Sequence, residues 1–153
     1  MLKVTTINRL YSTGFYDIGK MSYYIFNLKI DNELSKGELS LVNKIAYGHG
    51  ISRKNSPNEI RCYSFATKYC NWHRQDAYPI YDSFVENILC EYNSRNNFSD
   101  FAKGDLRNYD KFTKVISDFI QRYSLTESNF KKIDKFLWKY GKERAAGLSV
   151  VKS

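Results

Sequence analysis

The sequence predicts an all-α fold, a single-domain bundle of about six helices. Apolar residues recur mostly at spacings of three and four, which is the period of one face of a helix. Capping residues precede several of these periodic stretches. The chain has 153 residues, of which 42% are apolar and 26% are charged. This length and composition fit one globular domain and exclude a disordered tail, a fibre and a disulfide miniprotein.

The N-terminal part is predicted to hold two helices. The first covers residues 17–30 with Asp17 as its cap, and only residues 2–8 before it have the character of a strand. The second begins at a capping box over residues 35–38, where Ser accepts from the third amide and Glu reaches back. Residues 48–50, Gly-His-Gly, end that helix as a flexible turn, with a phosphate cradle as the alternative.

A third helix is predicted to begin at residues 56–59, Ser-Pro-Asn-Glu. A capping box coincides there with proline at the first helical position, where a missing N–H costs nothing. The helix runs to about His73 and is followed by a loop over residues 74–81. Asp82 then stands at the N-cap position of the next helix. The Asn-rich stretch 93–108 is predicted to be irregular.

Two more amphipathic helices complete the predicted bundle. Their apolar faces extend over residues 109–123 and 130–140, and Gly141 is expected to close the second one in the C′ position. All helices are assigned to one domain over residues 1–144. Residues 145–153 are predicted to fray.

The basic charge is concentrated in the last third of the chain. The net charge is +8, and residues 101–153 hold 12 basic and six acidic residues, against 12 and 10 in residues 1–100. Such an excess attracts nucleic acid, an anionic membrane or an acidic partner. We predict weak, salt-dependent DNA binding through Lys131, Lys132 and Lys135. The alternative is a solvated helix face.

Metal and cofactor chemistry is not expected. The three cysteines, Cys62, Cys70 and Cys90, have no close metal or redox spacing, and their odd number argues for free thiols in a reducing compartment. His49 and His73 are the only histidines, and no cluster has metal-ligand spacing. The usual nucleotide and hydrolase motifs are also absent.

The N-terminal residues resemble no secretory leader, because they contain no apolar core segment. Apolar stretches elsewhere are interrupted too soon to span a membrane. We therefore expect a cytoplasmic protein that does not use a membrane. The sequence leaves the oligomeric state open.

The informative segment runs from Ser64 to Val85, SFATKYCNWHRQDAYPIYDSFV. A helix ends, a polar loop follows, and Tyr-Pro-Ile-Tyr places Asp82 at the start of the next helix. This segment resembles the second half of the helix-hairpin-helix DNA glycosylase superfamily, where a helix is followed by a loop of the form apolar-Pro-apolar-x-Asp. It is similar without a gap to the adenine glycosylase branch.

The resemblance implies a DNA-repair hydrolase that excises a base from DNA. Ser64 falls where bifunctional members place a Schiff-base Lys and where the adenine branch places Ser. Asp82, 18 residues further on, falls on the catalytic Asp. A serine cannot form a Schiff base, so base release without strand cleavage is expected.

The sequence departs from the family upstream of this segment. The family hairpin, Leu-Pro-Gly-x-Gly-x-x-Thr-Ala, uses its glycines to bring backbone amides to a DNA phosphate. Residues 58–66 hold that place here and contain no glycine. We therefore expect continuous helix from Pro57 instead of the hairpin. The iron–sulfur cysteines of the family are absent as well.

Two of the candidate residues, Asp82 and Lys68, have both a catalytic and a plain structural explanation. Asp82 is a preferred N-cap, and a cap contributes about 1 kcal/mol by itself. An ionised carboxylate beside the positive helix end also suits stabilisation of an oxocarbenium-like sugar. Lys68 lies one turn from Ser64 and is predicted to touch a phosphate or to replace the missing Lys. The alternative is a solvated lysine.

Residues around the predicted loop are candidates for nucleic-acid contact. Trp72 and His73, at the end of the third helix, are predicted either to close the core under the loop or to flank an extruded base. Arg61 and Arg74 are candidates for the rim of the site. The whole set supports two hypotheses, a nucleic-acid-binding protein with base-excision activity and a non-catalytic helical interaction protein that keeps the glycosylase-like scaffold.

Overall fold

The computed structural model of the chain describes residues 1–15, 17–48, 50–53, 56–125 and 129–147. These residues form eight α-helices, one short 3₁₀ helix and one two-stranded ribbon, which confirms the all-α class but not the number of six. None of the described helices is long and apolar enough to cross a membrane. The chain divides into two compact units, Met1–Ile80 and Tyr81–Ser153. The assignment of residues 1–144 to one domain stays a prediction.

The first unit consists of five helices and the ribbon. Its elements are α1 (Leu2–Leu10), α2 (Ile18–Leu28), α3 (Asp31–Lys36), α4 (Ser40–Ala46), β1 (Ser52–Arg53), β2 (Ser56–Glu59) and α5 (Tyr63–His73). The α5 helix packs against α4 and α1. Every residue from Phe65 to Asn71 is buried, so α5 is enclosed around most of its circumference.

The prediction of strand character for residues 2–8 is wrong, because these residues lie in α1. Val4 and Ile7 are three residues apart on one helix face and are both buried. Thr5 Oγ1 donates to the Met1 carbonyl at 3.2 Å, which is a bond within one helical turn. Burial of one face here outweighs the β propensity of Val, Thr and Ile.

Helix α2 begins where predicted, but its N-cap Asp17 makes no side-chain cap bond. The capping box over residues 35–38 is also wrong. Ser35 Oγ donates back to the Asn32 carbonyl at 2.7 Å, so it lies inside α3 instead of starting a helix. Gly37 ends α3 with φ of +72°, and a Cβ at this position would lie 3.1 Å from the Ala77 Cβ.

The helix predicted to begin at residues 56–59 is replaced by the ribbon. Strands β1 and β2 pair antiparallel with Ser52 opposite Glu59, and α5 begins only at Tyr63. Gly50, with φ of +79°, lets its N–H donate to Glu59 Oε1 at 3.1 Å. Pairing between the strands therefore uses backbone N–H and C=O groups that a helix would need for its own hydrogen bonds. Of the predicted turn at 48–50, His49 lies outside the described residues.

The second unit contains three α-helices and the 3₁₀ helix. Its elements are α6 (Ser83–Asn96), the 3₁₀ helix (Lys103–Arg107), α7 (Tyr109–Arg122) and α8 (Phe130–Ala145). The predicted starts of α6, α7 and α8 are confirmed. The prediction that residues 93–108 are irregular is confirmed only in part, because α6 continues to Asn96 and the 3₁₀ helix covers Lys103–Arg107. Most of the tail predicted to fray lies outside the described residues.

Aromatic side chains from three helices pack together in this unit. Tyr92 of α6 makes edge contacts with Phe119, Tyr123 and Tyr140, at ring-centroid distances between 5.5 and 6.2 Å. Offset and edge arrangements of this kind add about 0.5–1.5 kcal/mol per pair to the area they bury. The abundance of Tyr and Phe in the sequence thus supplies core contacts that Leu and Val supply elsewhere.

The expectation that Gly141 ends the last helix is wrong. Gly141 lies inside α8 and is buried. A Cβ added there would lie 2.9 Å from the Phe84 Cβ and 3.1 Å from the Phe84 carbonyl oxygen. Glycine is therefore required for the close approach of α6 and α8, and the sequence pattern of a C′ glycine is coincidental.

We expect Gly141→Ala to destabilise the protein although alanine is the better helix former. The added methyl overlaps backbone and Cβ atoms of Phe84, and such overpacking costs about 1–3 kcal/mol. Gly19→Ala is the matched control, because Gly19 is helical with nothing within 4 Å of the added Cβ. That control should raise the unfolding free energy by up to about 1 kcal/mol. Urea unfolding measures both, and equal effects of the two changes would contradict the close approach.

Candidate functional site

Helix α5 brings two of the predicted site residues together. The Lys68 Nζ donates to Ser64 Oγ at 2.8 Å, one turn earlier on the same helix face. The same Nζ lies 5.4 Å from the centroid of the Tyr11 ring. Lys68 is only 5% exposed, so the alternative of a solvated lysine is wrong.

The enclosed position of Lys68 is chemically unusual. A buried ammonium group is costly unless hydrogen bonds or ring faces compensate for the lost water, and Ser64 and Tyr11 supply both kinds of contact. Buried lysines are also the ones that proteins use as bases and amine nucleophiles. The geometry therefore makes Ser64 a residue that orients the Lys68 amine.

The C-terminal end of α5 carries three of the predicted contact residues. Trp72 is 47% exposed, so it does not close the core under the loop. His73 is half-buried, with its ring 5.0 Å from that of Tyr69. Arg74 is held by its own loop, since its guanidinium pairs with Asp76 at 2.7 Å and donates to the Ser35 carbonyl at 2.5 Å.

Arg61 lies before α5 and remains exposed. Its guanidinium carbon is 4.9 Å from the ring centroid of Tyr47 and 4.6 Å from that of Tyr63. One guanidinium nitrogen donates to Asn43 Oδ1 at 2.8 Å. These contacts fix the guanidinium against aromatic faces at the surface of the first unit.

Two side chains hold the loop after α5 by hydrogen bonds that the sequence did not indicate. Asn71 Nδ2 donates to the Tyr78 carbonyl at 2.7 Å. The Tyr78 hydroxyl donates to the carbonyls of Glu33 and Glu38, at 3.4 and 3.2 Å. Burial raises the pKa of Tyr78 well above its usual range. A fully buried tyrosine thus sets the course of the chain four residues before Asp82.

Asp82 is the N-cap of α6, as predicted. Its Oδ1 accepts from the backbone N–H groups of Phe84 and Val85, both at 3.0 Å. The backbone of Asp82 is extended, and the residue is half-buried. Within the described part of the chain, Oδ2 accepts no hydrogen bond. The helix start therefore fixes one carboxylate oxygen and leaves the other available.

A second carboxylate lies one turn further along α6. Glu86 is 5% exposed, and the Tyr81 hydroxyl donates a short hydrogen bond to its Oε2. Lys103 Nζ lies 3.3 Å from Oε1, and Arg107 Nε lies 4.0 Å from Oε2. Burial, followed by the hydrogen bond to Glu86, raises the pKa of Tyr81 to about 12.

Sequence reasoning missed Glu86 because an acid in the first turn of a helix suits the helix dipole at the surface. Nothing local indicates that it is buried. Its position between Tyr81 and two basic residues depends on the 3₁₀ helix some twenty residues later. The spacing of Tyr81 and Glu86 around Asp82 was the only available signal.

The three lysines predicted to bind DNA lie on the open side of α8. Lys131, Lys132 and Lys135 are exposed, and none forms an ion pair with a described carboxylate. No group of side chains that could hold a metal ion occurs in the described ranges. A shallow surface depression is lined by Phe98, Asp118, Gln121 and Arg122, and none of these is a predicted site residue.

The first unit is a helical unit in which the buried helix α5 carries Ser64 and Lys68. Residues 1–77, half of the chain, match the model of the HI_0787_N family, described as an N-terminal domain. The chain belongs to this family. The matched residues nearly coincide with the first unit and include α5 with Ser64 and Lys68.

One curated relative is an uncharacterised protein of Haemophilus influenzae (strain KW20 / Rd). It is 39% identical over 137 residues, which are 89% of this chain and 63% of the relative. The chain thus spans less than two thirds of that relative's length. No solved structure matches the chain.

We expect Tyr81→Phe to lower the unfolding free energy by about 1–3 kcal/mol. The change removes the hydroxyl donor from a buried carboxylate, and bonds to charged groups are the costly ones to lose. Tyr23→Phe is the matched control, because Tyr23 is 71% exposed. Chemical denaturation of both variants provides the test, and a loss no larger than that of the control would contradict a structural role for the Glu86 contact.

Stability should also fall when His73 is protonated. Burial lowers the pKa of His73, Lys3 adds to this effect, and Asp31 opposes it. Its Nε2 is buried with no hydrogen-bond partner among the described residues. Because the folded state binds this proton less readily than the unfolded chain, the unfolding free energy decreases as pH falls below about 6.5.

The variant His73→Gln tests this pH dependence. Denaturation midpoints between about pH 7.5 and 5.5 should drop in the wild type and drop less in the variant. His49 is retained in both proteins and serves as the internal control. A variant that keeps the full wild-type slope would assign the effect to other groups.

Proposed function

We propose that the chain binds nucleic acid and releases a base from it, with Asp82 as the carboxylate that stabilises the reacting sugar. The observation that carries this proposal is the geometry of Asp82, in which two helix amides hold Oδ1 while Oδ2 accepts no bond in the described residues. The resemblance of residues 64–85 to DNA glycosylases supports the same assignment.

The chemistry requires a fixed negative charge near the sugar. When the glycosidic bond breaks, the bonding electrons leave with the base and the sugar becomes an oxocarbenium-like cation. A preorganised carboxylate lowers this barrier without rearranging during the reaction. Water then adds to the sugar carbon, and its proton is transferred to the departing base. The target nucleotide has to leave the helical stack first so that it can reach the carboxylate.

Lys68 determines whether strand cleavage can follow. Its amine is held by Ser64 Oγ at 2.8 Å and is of the type that forms a Schiff base with a sugar aldehyde. Ser64 itself cannot do so. We therefore assign to Ser64 the orientation of the Lys68 amine, and base release without strand cleavage is the expected outcome unless that amine reaches the sugar.

Asp82→Asn should reduce base release by at least about a hundredfold, since one electrostatic group in the transition state is lost. Asparagine is as good an N-cap as aspartate, so folding and nucleic-acid binding should change little. Base release is measured by chromatography on a panel of damaged, mismatched and modified duplexes and single strands. Borohydride trapping on the same panel reports any Schiff base of Lys68.

Asp110→Asn is the matched control, because Asp110 is an exposed acid in the first turn of α7. It should keep full activity. Asp82→Ala separates the two roles of this residue, since it removes the charge together with about 1 kcal/mol of capping. No base release by the wild type from any substrate would refute the enzymatic proposal. Full release by Asp82→Asn would refute the role of the carboxylate.

A second candidate function, a helical interaction protein, is favoured by the exposed apolar side chains of the first unit. Tyr23 and Phe26, three residues apart on one face of α2, are 71% and 78% exposed. Apolar side chains grouped at a surface mark contacts with other macromolecules. This candidate predicts binding that persists in Asp82→Asn and depends on Phe26.

A further inference from the structure

The exposed side of α8 combines lysines with two aromatic rings. At about 100° per residue, eight side chains fall on one side of the helix and span roughly 160° of its circumference. In order around this arc they are Trp138, Lys131, Lys142, Lys135, Lys139, Lys132, Glu143 and Phe136. We call this set the α8 surface. The opposite side, with Ile133, Leu137 and Gly141, is buried.

Both rings of the α8 surface are open to solvent and supported from one side. Trp138 is 43% exposed, with Lys142 Nζ 4.8 Å from its ring centroid. Phe136 is 47% exposed and stacks on Tyr140 at 5.9 Å, with 9° between the ring planes. These contacts fix the rings at the two edges of the arc while leaving faces available.

The lysines between the rings are largely uncompensated. The one acid on this side is Glu143, whose carboxylate lies 3.9 Å from Lys139 Nζ. The remaining four lysines of the surface form no ion pair with the described carboxylates. The arc therefore presents a positive centre flanked by two aromatic edges.

We propose that the α8 surface binds single-stranded nucleic acid. This inference rests on the nucleic-acid binding of the proposed function and specifies the strand type. Lysines follow the phosphates of a strand, and exposed aromatic rings stack on bases that are not paired. A duplex keeps its base faces inside the stack, so Phe136 and Trp138 have no use there.

The length of the surface fits a short stretch of strand. Lys131 and Lys142 are 11 residues apart, which is roughly 16 Å along a helix axis. At a stacked spacing of about 3.4 Å per nucleotide, this distance accommodates roughly five nucleotides. Five lysines match the number of phosphates in such a segment, and the two rings can stack on two of its bases.

Other kinds of partner fit the α8 surface less well. A helix that lies on a membrane inserts a broad apolar face, and the apolar side of α8 is already buried. The core of a protein–protein interface is depleted in lysine, whereas lysine is the commonest residue here. An anionic partner with exposed planar groups satisfies both components of the surface.

Binding is tested with a fluorescent oligothymidine of about ten nucleotides and a duplex of equal length. The protein carries Trp72→Phe, which leaves Trp138 as its only tryptophan. We expect the single strand to bind about tenfold more tightly than the duplex and to quench the Trp138 emission, as stacking on an indole does.

Two sets of variants separate stacking from charge. Phe136→Ala and, in the otherwise wild-type chain, Trp138→Ala should each weaken single-strand binding about tenfold and leave duplex binding unchanged. Lys131→Gln, Lys132→Gln and Lys135→Gln together should weaken both and reduce the salt slope by about 2. Leu10→Ala, and Lys20→Gln with Lys36→Gln, change exposed residues of the first unit and should have no effect.

Equal affinity for the single strand and the duplex, or stacking variants without effect, would overturn this inference. Binding that ignores salt would do the same. If anionic phospholipid vesicles are bound through the same lysines while the oligothymidine is not, the surface belongs to a membrane partner. Base release is assayed separately, so its absence together with single-strand binding would refute the enzymatic proposal and leave the α8 surface intact.

Discussion

The enclosure of α5 is the constraint on which the candidate residues of the first unit depend. Every residue from Phe65 to Asn71 is buried, so the polar side chains in that stretch must find partners within the protein. Thr67 donates to the Ser64 carbonyl at 3.0 Å, and Lys68 donates to the hydroxyl of the same residue. Asn71 turns to the loop and holds the Tyr78 carbonyl. Satisfying three buried groups thus fixes an amine in place and holds the loop that follows α5.

In the function that we propose, Asp82 serves stability and chemistry together. A carboxylate has two oxygens, and the helix start needs only one of them to accept two amide hydrogen bonds. The bonds restrict the orientation of the group, which is the preorganisation that electrostatic catalysis needs. Close to it, Tyr81 is anchored by the buried Glu86, so the residue before the cap is also held. Capping by Asp82 is therefore compatible with the catalytic role that we propose for it.

The sequence predicted the parts of the fold that depend on local interactions. The cap at Asp82 and the apolar spacing of α7 involve neighbouring residues, and α6 and α7 begin where expected. The errors fall where distant residues decide the structure. Residues 56–59 carry a helix-start pattern but pair with β1, and Gly141 has the pattern of a helix end but fits against Phe84. The burial of Lys68 and that of Glu86 are equally non-local, and the sequence predicted neither.

The net positive charge of the chain is not spread evenly over its surface. Many lysines of this protein lie beside carboxylates, as Lys44 does with Glu33 and Lys114 with Asp118. Their fields largely cancel at distances beyond the screening length of the solution. On α8 the lysines greatly outnumber the acids, and four of them pair with no described carboxylate. A basic helix that already buries its apolar side in the second unit has no structural need for this charge, which is why we ascribe the charge to binding.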